Sequence, residues 1–177
     1  MLVHLLVTST KTRDQTSIAG FAVTAKPVEV AGKPTSTAET FERTLVTPGS
    51  RFDRWLAGDV AALSMEELDG YRLFKTLGCA SCHQGVNIGG NLFERHGIFH
   101  PLASPKPEIL RVPSLRNVAT TSPYFHDGSA QTLDDAVRKM GLAQLNSTLT
   151  DQQVKAIVAY LQTLTGDYRG TPVGASP

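Results

Sequence analysis

Apolar side chains recur at helical spacing in three stretches of the chain, and each stretch follows a residue that can cap a helix. Ser64 has Glu67 three residues on, the spacing of a capping box. The same spacing marks the two later starts, at Thr132 with Asp135 and Thr150 with Gln153. The apolar faces that follow are Leu68, Tyr71, Phe74 and Leu77; Leu133, Val137 and Met140; and Val154, Ile157, Val158, Leu161 and Leu164. These patterns predict three amphipathic helices.

Glycines and prolines indicate where the helices end. A glycine just past the last periodic residue commonly ends a helix, which predicts ends at Gly141 for the second helix and Gly166 for the third. A shorter apolar pattern predicts a further helix from Thr37 to Leu45, ended by Pro48 and Gly49. Residues 1–35 show no such order and are predicted to form an arm with one or two short strands or no fixed structure.

The stretch between the first and second well-marked helices is rich in glycine and proline. These residues disfavour long helices and are typical of loops. They are Gly85, Gly89, Gly90, Gly97, Pro101, Pro105, Pro107 and Pro113. Loops this long usually have a function, so we expect this one to wrap around a bulky object.

Length, composition and charge agree with a small globular protein. The chain has 177 residues, of which 41% are hydrophobic and 19% are charged, enough for one buried core. Its net charge of +1 gives no whole-chain attraction to nucleic acid or to a membrane surface. No apolar run approaches the length of a membrane span. The short apolar stretch 1–7 contains His4 and has no positive residue before it, unlike a secretory signal peptide.

The chain uses cysteine only at Cys79 and Cys82, which His83 follows directly. C-x-x-C-H is the attachment signature of a c-type haem, in which two thiols bind the porphyrin and the imidazole binds the iron. A thioredoxin-like redox pair would need a βαβ context, and a zinc site would need a second pair of ligands. Neither pattern accompanies this motif. We therefore predict one covalently attached haem c.

Several stretches resemble the C-terminal haem domain of bacterial di-haem cytochrome c peroxidases. They are Gly70–His83, Val112–Ser129, Leu133–Met140 and Leu161–Gly166, while Thr47–Leu56 is similar to the linker between the two haem domains of that family. The resemblance implies an all-α, cytochrome c-like domain, preceded by the arm and a linker helix. It divides the chain into an arm (1–35), a linker (36–62), the cytochrome c domain (63–168) and a flexible tail (169–177). The family carries a second C-x-x-C-H, and this sequence contains one.

The resemblance also suggests the sixth ligand of the iron. Periodicity alone favours Met140 as a core residue, because Leu133 and Val137 share its face. The high-potential haem of the family takes its axial methionine from this position, so the resemblance implies that Met140 binds the iron opposite His83. His96 and His100, in the Gly/Pro-rich loop, are competing ligands. A Met and His pair favours ferrous iron and suits electron transfer, and a filled sixth position excludes peroxide.

Other positions are expected around the haem. Arg116 is a candidate partner for the anionic propionates, with an ordinary surface role as the alternative. The ring N–H of His83 needs an acceptor, which the Val112–Pro113 region can supply. The resemblance places His126 near the haem as a supporting residue, and it implies a partial calcium site at the backbone carbonyls of Thr121 and Pro123. Gly89 and Gly90 are expected to let the backbone approach the porphyrin.

The sequence is compatible with two functions. The resemblance implies the electron-transfer domain of a cytochrome c peroxidase, which relays electrons from a small cytochrome c or cupredoxin toward a peroxidatic haem domain. The alternative is a stand-alone monohaem electron carrier without catalytic activity. Haem c attachment predicts a periplasmic location, and the resemblance implies a homodimer.

Overall fold

The computed structural model describes residues 47–102 and 108–174, which contain four α-helices and two pairs of short strands. The predicted arm (1–35) and the predicted helix from Thr37 to Leu45 lie outside the described residues. Two short 3-10 helices, Cys79–Ser81 and Val118–Thr120, complete the regular structure. In chain order the elements are α1 (Arg51–Leu56), α2 (Met65–Thr76), β1 (Phe93–Arg95), β2 (Ile109–Arg111), α3 (Leu133–Leu145), α4 (Asp151–Gln162), β3 (Asp167–Tyr168) and β4 (Thr171–Pro172).

The predicted starts of the three long helices are confirmed. Capping boxes open α2 and α4, at Ser64 and Thr150 respectively. In α3 the Thr132 side chain accepts a bond of 3.2 Å from the Asp135 N–H. Each cap satisfies a backbone N–H that has no partner within the helix, so three local pairs fix where these helices begin.

The predicted helix ends were wrong in two places. Helix α3 continues through Gly141 to Leu145 and ends at Asn146, which takes a left-handed backbone conformation with φ of 50°. Gly141 is buried against the Leu149 side chain, so it serves packing rather than termination. Helix α4 ends at Gln162, four residues before Gly166, because Leu164 leaves the helical path and is fully buried just beyond it.

The core lies between α2 and α4. These helices cross at Gly70, where a Cβ atom would lie 1.9 Å from the carbonyl oxygen of Ala156. Only glycine allows the two backbones to come this close. The buried core residues are Phe52, Leu63, Phe74, Ile88, Leu149, Val154, Ile157, Val158, Tyr160, Leu161 and Leu164. The α2–α4 pair therefore forms the rigid base on which the rest of the domain is built.

Helix α1 lies in the predicted linker, and the apolar pattern did not reveal it. Its capping box pairs Ser50 with Asp53, and its buried residue is Phe52. The Phe52 ring contacts those of Tyr71 and Tyr160, with centroids 5.1 and 5.3 Å apart. Helix α1 is thus attached to the core through aromatic contacts.

The fold is mostly helical, but it is not purely all-α as predicted. Strands β1 and β2 pair antiparallel, with Phe93 opposite Arg111, and β3 pairs with β4 in the same way. Backbone that glycine and proline keep out of helices must find other hydrogen-bond partners, and short strand pairs supply them. The predicted tail from residue 169 includes β4. The longest helix in the described part of the chain has 13 residues, and none there is long and apolar enough to cross a membrane.

Candidate haem site

The C-x-x-C-H motif follows α2 directly and lies at the edge of a cavity. Cys79 begins a 3-10 turn, and its carbonyl accepts a bond of 3.1 Å from the His83 N–H. This turn brings Cys79 and His83 to the cavity wall. Cys82, in the same turn, is half-buried. The turn after α2 thereby brings the Cys79 thiol and the His83 imidazole to one opening.

The cavity wall consists mainly of aliphatic and aromatic side chains. Helix α3 supplies Met140 and Val137, α4 supplies Ile157, and a loop supplies Tyr124 and Phe125. A flat, largely apolar macrocycle would bury its faces against such walls, as cofactors do in concave apolar sites. His83, which follows the 3-10 turn after α2, and Met140, on α3, line the same cavity.

The His83 imidazole is held in its neutral form. Burial lowers the pKa of His83, while the backbone carbonyls of Pro113 and Ile88 act in the opposite direction and raise it. Nδ1 is buried, and no hydrogen bond of normal geometry reaches it among the described residues. Neutral imidazole is the form that binds metals. The expectation that the Val112–Pro113 region accepts a hydrogen bond from the ring N–H therefore stays a prediction, although the Pro113 carbonyl acts on the pKa of His83.

Gly89 allows its backbone to pack closely against that of Pro113. A Cβ atom at Gly89 would lie 2.0 Å from the Pro113 carbonyl oxygen, and the backbone there has a φ of +130°. Any side chain would push the two segments apart. The approach of Gly89 to the porphyrin stays a prediction, and the close approach that the structure shows is to Pro113.

The two thiols differ from those of a redox-active C-x-x-C pair. Burial raises the pKa of the Cys79 thiol, and burial together with the Glu94 carboxylate raises that of Cys82. Disulfide oxidoreductases need a lowered pKa so that a thiolate can attack. Both thiols here are free and favour the protonated form, which disfavours the redox alternative.

The rival histidine ligands lie elsewhere. His100 is exposed, and its Nε2 lies 2.9 Å from the Asn146 side-chain oxygen. The backbone N–H of His96 bonds the Glu108 carbonyl, which continues the β1–β2 pairing. Neither histidine lines the cavity, whereas Met140 does.

These residues fit a covalently bound haem. Two free thiols stand at the attachment spacing, a neutral imidazole has a buried nitrogen without a bonded partner, and a thioether shares the apolar cavity with it. Comparison with known proteins gives the same result, because the family model for cytochrome c matches residues 68–165.

This chain belongs to the cytochrome c family.

Its relatives include bacterial cytochrome c peroxidases. The chain is 46% identical over 147 residues to the cytochrome c551 peroxidase of Nitrosomonas europaea, a match that covers 75% of this chain and 44% of that protein. Against the cytochrome c551 peroxidase of Pseudomonas aeruginosa it is 40% identical over 159 residues, covering 77% of this chain and 46% of the relative. The chain thus spans less than half the length of these curated relatives.

A solved structure extends the comparison to the fold. The crystal structure of a MauG-like protein associated with microbial copper homeostasis superposes with a TM-score of 0.60 at 26% identity. The match covers 76% of this chain and 58% of that one. The cytochrome c fold is therefore shared as well as the sequence.

The remaining predicted site residues of this cytochrome c domain lie around the cavity rather than in its wall. The Arg116 guanidinium bonds Asp53, Ser50 and the Val86 carbonyl, so its assignment to a propionate stays a prediction. His126 is exposed in the loop that also contains the exposed residues Thr121 and Pro123.

Two aromatic wall residues escaped the sequence analysis. Tyr124 and Phe125 line the cavity of this cytochrome c domain, while the neighbouring His126 was the one singled out. Tyr124 pairs with Ala130 through two backbone hydrogen bonds that close the turn between them. The sequence signal for these two wall residues is that adjacent aromatic residues occur within a polar turn. Large aromatic side chains are seldom fully exposed to solvent, which indicates a buried or ligand-facing position.

Proposed function

We propose that this chain is the haem c electron-transfer domain of a cytochrome c peroxidase. In this function it accepts electrons from a small donor protein of the cytochrome c or cupredoxin type. It passes them to a peroxidatic haem on another domain, where two electrons and two protons convert one hydrogen peroxide into two waters. The observation that carries the proposal is the presence of His83 and Met140 on the walls of one apolar cavity.

Different residues of the site would bind different parts of haem c. When bound, haem c supplies a one-electron ferric/ferrous couple. Cys79 and Cys82 would hold it covalently, and His83 and Met140 would both bind its iron. Ligation by both residues would keep peroxide away from the iron. The apolar wall excludes water, which disfavours the more highly charged ferric state and raises the reduction potential.

The ligand assignment is tested by spectroscopy. The chain, expressed with the c-type maturation machinery, is expected to carry one haem and to show the weak red absorption band of iron bound by methionine. Met140→Ala should abolish that band. Met65→Ala is the matched control, because Met65 is 68% exposed on α2 and should leave the band unchanged. A band that survives in Met140→Ala would show that the ligand is another residue.

A stand-alone monohaem electron carrier is the second candidate, because one C-x-x-C-H motif is sufficient to attach one haem. The two functions differ when a peroxidatic haem domain is supplied. We expect the reduced chain to be oxidised by peroxide only slowly by itself and rapidly when the peroxidatic domain of a related peroxidase is added. Equal rates with and without that domain would favour the carrier.

The periplasmic location, a homodimer and a calcium site at the Thr121 and Pro123 carbonyls also belong to this proposal. The relatives named as cytochrome c peroxidases support the periplasmic location, the homodimer rests on the resemblance alone, and both loop residues are exposed. Calorimetric titration of the haem-loaded chain with calcium tests the site. Absence of heat at millimolar calcium would remove it from the proposal.

A further inference from the structure

Two backbone segments run side by side, and we call them together the proximal clamp (residues 86–90 and 112–116). Four hydrogen bonds join them. They run from the Gly90 N–H to the Val112 carbonyl (2.8 Å), from the Leu115 N–H to the Ile88 carbonyl (3.2 Å), from the Ser114 hydroxyl to the Asn87 carbonyl (2.7 Å) and from Arg116 Nε to the Val86 carbonyl (3.0 Å). The Arg116 bond closes the clamp at the end closer to His83 in sequence.

The other side of the Arg116 guanidinium bonds helix α1. Its Nη1 donates to Asp53 Oδ1 at 2.7 Å and to the Ser50 hydroxyl at 3.2 Å. The Arg116 and Asp53 side chains are only 16% and 27% exposed, so solvent screens this pair less than the ion pairs on the surface. One guanidinium thus joins the first turn of α1 to the loop that follows the haem motif.

The clamp reaches the cavity at Pro113, in its second segment, which lines the cavity wall together with His83. The backbone carbonyls of Pro113 and of Ile88, in the first segment, also act to raise the pKa of His83. Their positions depend on how closely the segments approach each other, which Gly89 permits and the four bonds maintain. The groups that polarise a metal-binding histidine fix its orientation and basicity.

We propose that Arg116 is a positioning residue that couples helix α1 to the axial histidine by holding the proximal clamp closed. A displacement of α1 would act on the Val86 carbonyl through Arg116, and the clamp would transmit it to the carbonyls beside His83. Helix α1 lies in the segment that resembles an inter-domain linker, so contacts made by the linker would adjust the reduction potential. This coupling rests on the proposed function only in requiring that haem c binds to His83.

The direction of the effect follows from ligand basicity. Carbonyl oxygens that polarise the imidazole N–H make the ring a stronger electron donor, which stabilises ferric iron. Loosening the clamp weakens this polarisation and favours ferrous iron. The reduction potential should therefore rise when Arg116 loses its bond to the Val86 carbonyl while the positive charge is kept.

The main test is Arg116→Lys in the haem-loaded chain. Lysine keeps the charge and the attraction to Asp53, but it lacks the planar fork that reaches Val86 and α1 together. We expect the equilibrium between ferric and ferrous forms to shift about tenfold toward ferrous, which is about 59 mV for one electron. Arg72→Lys is the control, because Arg72 makes a comparable bond to Asp69 (2.6 Å) within α2 alone.

Amide hydrogen exchange provides a second readout. Opening of the clamp should speed exchange of the Gly90 and Leu115 N–H groups in Arg116→Lys and leave them unchanged in Arg72→Lys. An unchanged potential in Arg116→Lys, measured in a protein that retains its haem, would overturn the proposal. So would a changed potential with normal protection of both amides, because the effect would then bypass the clamp.

The coupling to α1 is tested by an uncharged substitution outside the clamp. Ser50→Ala removes the cap of α1 and one partner of Arg116, and we expect a shift of the same sign and about threefold in the equilibrium. Thr150→Ala, which removes the cap of α4 and touches no part of the clamp, should give none. Equal shifts in both variants would disprove a specific role for α1. Failure of the proposed function would look different, since an added peroxidatic domain would then leave the oxidation rate of the reduced chain unchanged, whatever the potentials of these variants.

Discussion

The helical base and the loop region around the cavity are built by different means. Helices α2 and α4 pack through a continuous apolar face, and each begins at a capping box made by neighbours in sequence. The loop region (residues 84–102 and 108–131) depends instead on single polar contacts between distant positions, such as the bond from Arg116 to Asp53, 63 residues apart. The α2–α4 base contributes more than half of the buried core residues. The loop region holds in place the groups that face the ligand.

This difference explains why stability and chemistry reside in separate parts of the domain. Burial of apolar surface is additive and tolerates small adjustments, so a helix pair can be robust. A carbonyl that must face an imidazole depends on individual contacts, and each can be removed by one substitution. Substitutions in the base should therefore change the free energy of unfolding, whereas those in the loop should mainly change the haem environment.

The largest effect is expected for Gly70→Ala in the base. The added methyl group would overlap the Ala156 backbone carbonyl, which cannot rotate away, so α2 and α4 would have to separate. We expect a loss of about 3 kcal/mol in the free energy of unfolding, measured by chemical denaturation. Gly141→Ala is the matched helical control. Its methyl group would meet the Leu149 side chain at 3.0 Å, which can move, so a cost equal to that of Gly70→Ala would contradict this explanation.

Gly89→Ala applies the same test to the loop. The methyl group would meet the Pro113 carbonyl in a backbone conformation with positive φ, and we expect a cost about 2 kcal/mol above that of Gly90→Ala. Gly90 has a positive φ as well, but the nearest atom to its added methyl group would be 3.9 Å away. Denaturation followed by the haem absorption measures both variants. Equal costs would show that strain in φ matters and that the contact with Pro113 does not.

Thr150→Ala tests a local contribution to the base. The variant loses the bond from the Gln153 N–H to the threonine hydroxyl (3.2 Å), and we expect a loss of about 1 kcal/mol. Thr148→Ala, at an exposed position two residues earlier, is the control and should be nearly neutral. If both variants lose the same amount, the cap is not the cause.

The smallest expected effect is on the pH dependence of the free energy of unfolding. It involves the ion pair between Arg51 of α1 and Glu67 of α2. Burial raises the pKa of Glu67, but bonds from the Ser64 N–H, the Arg51 guanidinium and the Ser64 hydroxyl outweigh it, so the pKa lies below its ordinary 4.5. The ionised carboxylate therefore stabilises the fold above pH 4.5, and this stabilisation is lost as the pH falls through the lowered pKa.

A pH series from 7 to 3 checks this expectation. The free energy of unfolding of Glu67→Gln should fall less steeply between pH 4.5 and 3 than that of the unmodified chain. Glu66→Gln, on the exposed side of the same turn, should behave like the unmodified chain. Identical slopes for all three proteins would show that the Arg51–Glu67 pair contributes nothing to acid sensitivity.

The sequence revealed those features whose causes are local. Ser64 and Glu67 are three residues apart, and the attachment motif spans five residues, so both can be recognised without knowledge of the fold. The end of α3 was misplaced because a glycine can end a helix or pack inside one, and Leu149 decides between these roles. The partners of Arg116 were not foreseeable, because they come from α1 and from the loop after His83. The positive charge of Arg116 suggested a haem propionate as its partner, and in the fold the Asp53 carboxylate is a partner of this guanidinium.

The aromatic residues behind His83 have a consequence for the speed of electron exchange. The Phe74 ring lies 6.3 Å from the His83 ring and 5.3 Å from that of Tyr160, which in turn contacts Phe52 and Tyr71. Interlocked rings in a densely packed interior leave an imidazole little room to move. Under the proposed function, the iron changes its charge by one unit while its ligand stays in place. A small reorganisation energy follows, so electrons can enter and leave this domain without waiting for the protein to rearrange.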